Sequence, residues 1–179
     1  MAFNVAEFRA NMIGDGARPN LFEVSMPFPA FSAPGNAQTT LTFMCKTAQL
    51  PGATIGVVPV QYFGRELKFA GNRTFTDWTL QIINDEDFAI RNSLESWMNA
   101  INSHTTNVRN GSAVNPSGYT VDAVVTQYGK AGNELKSYKF VGVFPLDVAP
   151  IDLDWGSNDV IEEYSATFAF QYWESNTTT

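Results

Sequence analysis

A chain of 179 residues, 44% of them hydrophobic, can close one ordinary core and is read as a single domain over 1–179. Eleven Lys and Arg against 18 Asp and Glu leave a net charge of -7, which argues against affinity for nucleic acid or an anionic membrane. The single Cys45 rules out an internal disulfide, and without a basic and apolar leader at the start, synthesis in a reducing cytoplasm is expected. Apolar runs such as 140–151 are interrupted by Pro145 and Asp147 and are too short to span a bilayer.

Residues 1–16 read as an N-terminal arm, with a short helix over Asn4 to Met12 that places Phe8 and Met12 on one face. Phe22, Val24, Met26 and Phe28 alternate with polar neighbours and predict a half-buried strand. The same period places Leu41, Phe43 and Cys45 on one side of a second strand and Thr42, Met44 and Lys46 on the other. From 47 to 71 the chain is apolar almost throughout, yet Pro51, Pro59, Gly52, Gly56, Gly64 and Gly71 interrupt it. Proline and glycine are poor residues for a buried strand, so this segment is expected to project and to be covered by a partner surface, most simply another copy of the chain.

Trp78, Leu80 and Ile82 predict a third strand. Asn84 is expected to cap one long helix, with Asp85, Glu86 and Asp87 in its first turn and Ile90, Leu94, Trp97, Met98 and Ile101 on its buried stripe. Phe88 falls on the opposite side. Residues 103–118, rich in Ser, Thr, Asn and Gly, read as a surface loop. Strands are expected at 119–128, 135–144 and 147–153, the first two joined by a turn at 129–133. Tyr164, Phe168, Phe170 and Tyr172 then form an aromatic strand face, ahead of a frayed tail at 175–179.

No arrangement in the sequence points to catalysis, a cofactor or a metal. His104 is the only histidine and lies in the polar loop, far from any nucleophile motif; Cys45 reads as a buried structural thiol. Asp152, Asp154, Gly156, Asn158 and Glu163 share part of a calcium-loop spacing, but Gly156 and Ser157 stand at positions that need a ligand and a glycine, so a turn is expected. Arg65, Lys68 and Arg73 are the one small basic cluster, with Glu66 among them.

Residue blocks in order along the chain carry a resemblance. Ala17 to Val24, Cys45-Lys46 with Leu50-Pro51, Gly64-Arg65, Ala70 to Phe75, Asp77-Trp78-Thr79, Asn84-Asp85-Glu86, Leu153-Asp154-Trp155 with Ser157-Asn158, and Tyr172-Trp173-Glu174 are similar to those of the tail tube proteins of contractile-tailed bacteriophages. The loops at 29–40 and 103–118 look longer than in the family's shortest members. The resemblance implies a mainly β fold, an antiparallel barrel or two packed sheets flanked by one helix. It also implies a structural virion protein, made and assembled in the host cytoplasm, with no enzymatic activity and no cofactor. Six copies would form a ring, and rings would stack into the tube through which the genome leaves.

Its implied partners are further copies of itself, the tail sheath, baseplate and tail terminator proteins, and the tape-measure protein and genomic DNA in the lumen without specific DNA binding; no membrane partner is implied. The 47–71 segment corresponds to the family's stacking loop. Leu50, Pro51, Ile55, Val57, Val58, Val60, Tyr62, Phe63 and Arg65 are therefore expected at the ring-stacking interface, and Thr42, Lys46, Glu66 and Lys68 on strand faces that line the lumen. Two alternatives share the fold, the tube of a type VI secretion or related injection system and a baseplate tube initiator; a carbohydrate-binding β-sandwich with exposed aromatics such as Tyr62 and Trp173 is a third.

Overall fold

A computed structural model describes residues 4–32 and 36–178; the first three residues of the arm, the middle of the 29–40 loop and Thr179 lie outside the described residues. The short helix α1 (Val5–Asn11) forms as the sequence predicts, with the Asn4 side chain accepting from Ala6 N at 3.0 Å. Among the described residues, seven strands make one antiparallel sheet: β1 (Phe22–Ser25), β2 (Cys45–Ala48), β5 (Trp78–Ile83), β6 (Val121–Tyr128), β7 (Glu134–Val148), β8 (Glu163–Ala169) and β9 (Tyr172–Ser175). The order is β1-β6-β7-β8-β5-β2, with β9 pairing β7. Because β1 and β2 end the path, the sheet is open and closes no barrel among the described residues, and it curls so that strands from both ends share one core.

The curl depends on β7, which serves two neighbourhoods in turn. Its first part pairs β6 on one side and β9 on the other, whereas Phe144 to Val148 pair β8. Gly142, at the changeover, has φ 70°, a left-handed conformation that suits glycine, and a Cβ there would lie 2.9 Å from Gln171 Cγ. The Asp122 carboxylate accepts from Gly142 N at 3.1 Å and from Lys139 Nζ at 2.8 Å, bracing the bend.

Inside the curl many alternating positions read from the sequence are buried, Val24 and Met26, Trp78, Leu80 and Ile82, and Tyr164 and Phe168, but the aromatic face does not run on to Tyr172, which is 44% exposed and begins β9 after a break at 170–171. Trp78 stacks on Phe140 with ring centroids 4.4 Å apart, and Phe170 meets Phe140 edge-on at 5.0 Å. Helix α3 (Ala89–Ile101) closes one side with Ile90, Leu94 and Trp97, whose indole N–H donates to Tyr119 O at 2.7 Å.

Several expectations are corrected. Residues 41–44 are helical: α2 (Ala37–Met44) precedes β2, since Ala37, Leu41 and Met44 also recur at helical spacing. Leu41 is buried, whereas Phe43, expected to face inward, is 77% exposed. Asn84 does not cap α3. The helix starts after Phe88 in a left-handed conformation (φ 51°), and the Asn84 amide donates instead to Glu162 Oε2 at 2.8 Å, holding the end of β5 against the approach to β8.

The strand expected at 147–153 ends at Val148, because Pro150 has no N–H to continue a ladder. Within 103–118 a 3-10 turn (Gly111–Ala113) with fully buried Ala113 and the short α4 (Pro116–Tyr119) give the loop structure of its own. At the C-terminus Ser175 N donates to Thr178 Oγ1 at 2.7 Å and Lys136 Nζ donates to Thr177 Oγ1 at 2.9 Å.

Candidate assembly surface

Between β2 and β5 the chain leaves the sheet as a separate two-stranded hairpin, β3 (Thr54–Tyr62) and β4 (Arg65–Thr74), pairing only with itself. Regular strands form in spite of Pro59 and the glycines because a lone hairpin has an open edge on each side, where a missing N–H interrupts no ladder. Near its base, the register shifts between Ile55 and Val57, and the backbones of Gly56 and Gly71 come together. A Cβ on Gly71 would meet Gly56 O at 3.1 Å and Val58 Cγ2 at 3.2 Å, so glycine spares this bulge a tight contact that its neighbours would have to relax by a few tenths of an ångström.

Aromatic residues of the main sheet fix both stems. The indoles of Trp78 and Trp173 donate to Gln49 O and Gly52 O at 3.1 and 3.2 Å, and Phe75 on the return stem packs on Phe170 at 5.8 Å. Leu50 and Pro51 therefore belong to the anchored stem; Leu50 lines a small cleft with Phe22 and Val125 of the sheet.

Beyond the bulge, the pairs Val58 with Phe69, Val60 with Leu67 and Tyr62 with Arg65 share one face, while Val57 with Ala70, Pro59 with Lys68 and Gln61 with Glu66 share the other. The first face is apolar except for Arg65. The second is polar toward the tip, where Gln61 Nε2 donates to Glu66 Oε2 at 3.2 Å. All of these side chains are exposed. At the tip Phe63 and Gly64 have φ 46° and 78°. Two left-handed residues are what a tight hairpin turn needs, and Asn-Gly is the usual pair there. A phenylalanine in that place is strained and 92% exposed, its ring edge-on to Tyr62 at 4.6 Å.

The four residues expected along one wall of strands are thus divided. Glu66 and Lys68 share a hairpin face, but Thr42 lies on α2, its hydroxyl donating to Gln38 O at 3.3 Å. Lys46 belongs to the main sheet, paired with Glu163 at 2.6 Å. The expectation of a common strand face fails at Thr42 because the helix continues to Met44.

Elsewhere, Cys45 is buried, and that burial pushes its thiol up to about 12. His104 is exposed, with its backbone N–H donating to Asn99 Oδ1. The acidic segment after β7 is a turn: Gly156 N and Ser157 N donate to Asp154 Oδ1 and O at 3.0 and 3.2 Å. Among the described residues no group of three or more His, Cys, Asp or Glu is placed to hold a metal ion. Sequence reasoning assigned this segment no role, yet it carries Leu153, Trp155, Val160 and Ile161 in the open, Trp155 at 99% exposure. The signal was present as a Leu-Asp-Trp block without apolar periodicity.

A family model described as phage tail tube protein matches residues 17–176. The chain is 34% identical over 167 residues to tail tube protein gp19 of Enterobacteria phage T4, covering 93% of this chain and 96% of that one. It is 27% identical over 168 residues to the tail tube protein of Serratia phage KSP90, covering 93% of each. Its fold is similar to that of a chain in the six-fold symmetrised anti-feeding prophage baseplate, with TM-score 0.62, 13% identity, and 89% of this chain and 95% of that chain covered. It is also similar to a chain in the PVC sheath-tube complex of an extracellular contractile injection system, with TM-score 0.58, 16% identity, and 98% and 99% coverage. With the family matched across most of its length, this chain belongs to the phage tail tube proteins of contractile tails, non-enzymatic structural components of the virion.

Proposed function

We propose that the chain forms hexameric rings that stack into the inner tube of a contractile tail, the conduit through which the genome is ejected. The observation that carries this reading is the hairpin: an apolar face of Val58, Val60, Tyr62, Leu67 and Phe69 that its own subunit leaves uncovered. Monomers rarely keep such a patch exposed. The hairpin residues Ile55, Val57, Val58, Val60, Tyr62, Phe63 and Arg65 serve ring stacking, with Leu50 and Pro51 holding the stem. Glu66 and Lys68, on the polar face, line the lumen.

A net charge of -7 suits a channel that must not hold DNA, since cationic walls would retain the phosphate backbone. Sheath, baseplate, terminator and tape-measure proteins are the remaining partners in this reading. Identity of 34% to a phage tube protein, against 13–16% to the injection-system chains, favours the phage tail over a secretion tube. Negative-stain microscopy of the purified protein, with baseplate seeds supplied, tests it. Rings and hollow tubes are expected; a protein that stays monomeric at high concentration with seeds present overturns it.

A further inference from the structure

At a net charge of -7 copies of the chain repel one another, so a self-contact is favoured where opposed charges meet locally. Three of its eleven Lys and Arg, Arg65, Lys68 and Arg73, fall on β4, and none of them joins an ion pair among the described residues. The segment between β7 and β8 is the opposite: Asp152, Asp154, Asp159 and Glu162 without a single Lys or Arg between 149 and 163. The same segment bounds a solvent-open groove of about 560 Å³ whose apolar lining includes Ile151, Leu153, Val160 and Ile161. Trp155 stands beside it, exposed. One surface thus joins an apolar face to Arg65, with Lys68 and Arg73 on the reverse side of the same strand; the other mixes apolar side chains with carboxylates.

We infer that the 150–162 segment is the receiving surface for the β3–β4 hairpin of a second copy, with Trp155 as its aromatic anchor. This rests on the tube reading and deepens it. A projecting strand pair whose apolar face carries Arg65 fits a groove lined by aliphatic side chains and carboxylates together, and the Asp152, Asp154 and Glu162 carboxylates meet Arg65 as it arrives. The two surfaces differ, so the contact is heterologous: each copy offers a hairpin and a groove, and addition continues until a ring closes or a filament grows. A tube needs such a contact. The charged rim also makes assembly sensitive to salt, because exposed pairs are screened beyond about 10 Å at 0.1 M.

Two variants test the inference. Trp155→Ala with Val160→Ser disables the groove, and Val58→Ser with Val60→Ser disables the hairpin; all four positions are exposed, so both variants should keep the far-ultraviolet circular dichroism of the unaltered protein. Neither alone should form tubes under conditions where the unaltered protein does. Mixed at high concentration, the intact hairpin of one and the intact groove of the other should give a complex that sediments above either variant alone and does not elongate. Tubes of normal length from the groove variant overturn the inference and leave the tube reading standing. Two inactive variants that fail to pair show that groove and hairpin do not meet, and also overturn it. Unaltered protein that never assembles overturns the tube reading and this contact together.

Discussion

The curled sheet and the hairpin are built from the same kinds of residue and meet opposite fates. In the sheet, Trp78, Phe140 and Phe168 are buried against one another. In the hairpin, Val58, Val60, Leu67 and Phe69 are paired across strands and remain in solvent. An isolated two-stranded hairpin is marginal in water. This one is held by its stems, through Trp78, Trp173 and Phe75, and its apolar face contributes nothing to the subunit's core. Apolar sequence therefore does not by itself mark the subunit's core, and backbone punctuation tells the two apart: Pro59, the Gly56–Gly71 bulge and the strained tip set the hairpin apart from the sheet.

The widest separation between the two regions should appear in paired substitutions. Trp97→Ala empties a fully buried site and orphans the Tyr119 carbonyl; a loss of about 3–5 kcal/mol is expected, a large part of a domain's whole stability. Thermal unfolding should show a collapse in melting temperature. Replacing Ile55, Val57, Val58 and Val60 together with serine should leave the melting curve nearly unchanged and remove tubes, each aliphatic group forfeiting about 1.5–3 kcal/mol of burial in the assembly. If that variant unfolds, the hairpin is core and the contrast between the regions disappears.

A single residue sharpens the contrast further. Phe63 sits in a left-handed conformation that asparagine adopts with less strain. Phe63→Asn should raise or preserve the stability of the subunit, by up to about 1 kcal/mol, and should weaken assembly. Opposite signs in a melting curve and in the critical concentration for tube formation are the expected result. A variant less stable and equally able to assemble would mean the ring serves the hairpin alone.

The same contrast bounds how far the sequence could be read. Period-two burial at Trp78–Ile82 and Tyr164–Phe168 is legible because one face meets a core and the other does not. At 41–44 the pattern fits two periods at once, and tertiary packing of Leu41 chose the helix. Asn84 looked like a cap because its neighbours are acidic; the chain instead uses its amide to hold Glu162, a contact 78 residues away that no local pattern encodes. On the candidate surface, the apolar run announced the hairpin, but the division of its residues between two faces depends on the register and the bulge. The exposure of Trp155 was hidden because a lone aromatic outside any periodic pattern carries no burial signal.

Within the sheet, a smaller effect is expected at Cys45. Burial pushes its thiol up to about 12, so at about pH 8 the folded protein should resist thiol reagents and react only as it unfolds. Cys45→Ser should cost about 1 kcal/mol, with tubes retained, since the hydroxyl can reach the Thr47 carbonyl that Sγ approaches at 3.5 Å. Rapid labelling of the native subunit would show that the strand opens far more easily than its neighbours.

The smallest effect should come from the brace at the bend of β7. The hydrogen bond from Lys139 holds the Asp122 carboxyl below the ordinary range, with the Gly142 N–H adding to it. A carboxylate lowered in the folded state stabilises above its unfolded pKa of about 3.9, and the contribution fades as pH falls through the lower folded value. Asp122→Asn keeps an acceptor for Gly142 and removes only the charge facing Lys139. Both side chains of the pair are nearly half exposed, so the loss near neutral pH should be within about 3 °C in melting temperature. That gap should close as pH falls through the lowered range of the folded Asp122 carboxyl and should shrink with added salt. A gap that persists unchanged in acid would mean that the substitution costs something other than the carboxylate charge and would leave the ion pair without a part in bending the sheet.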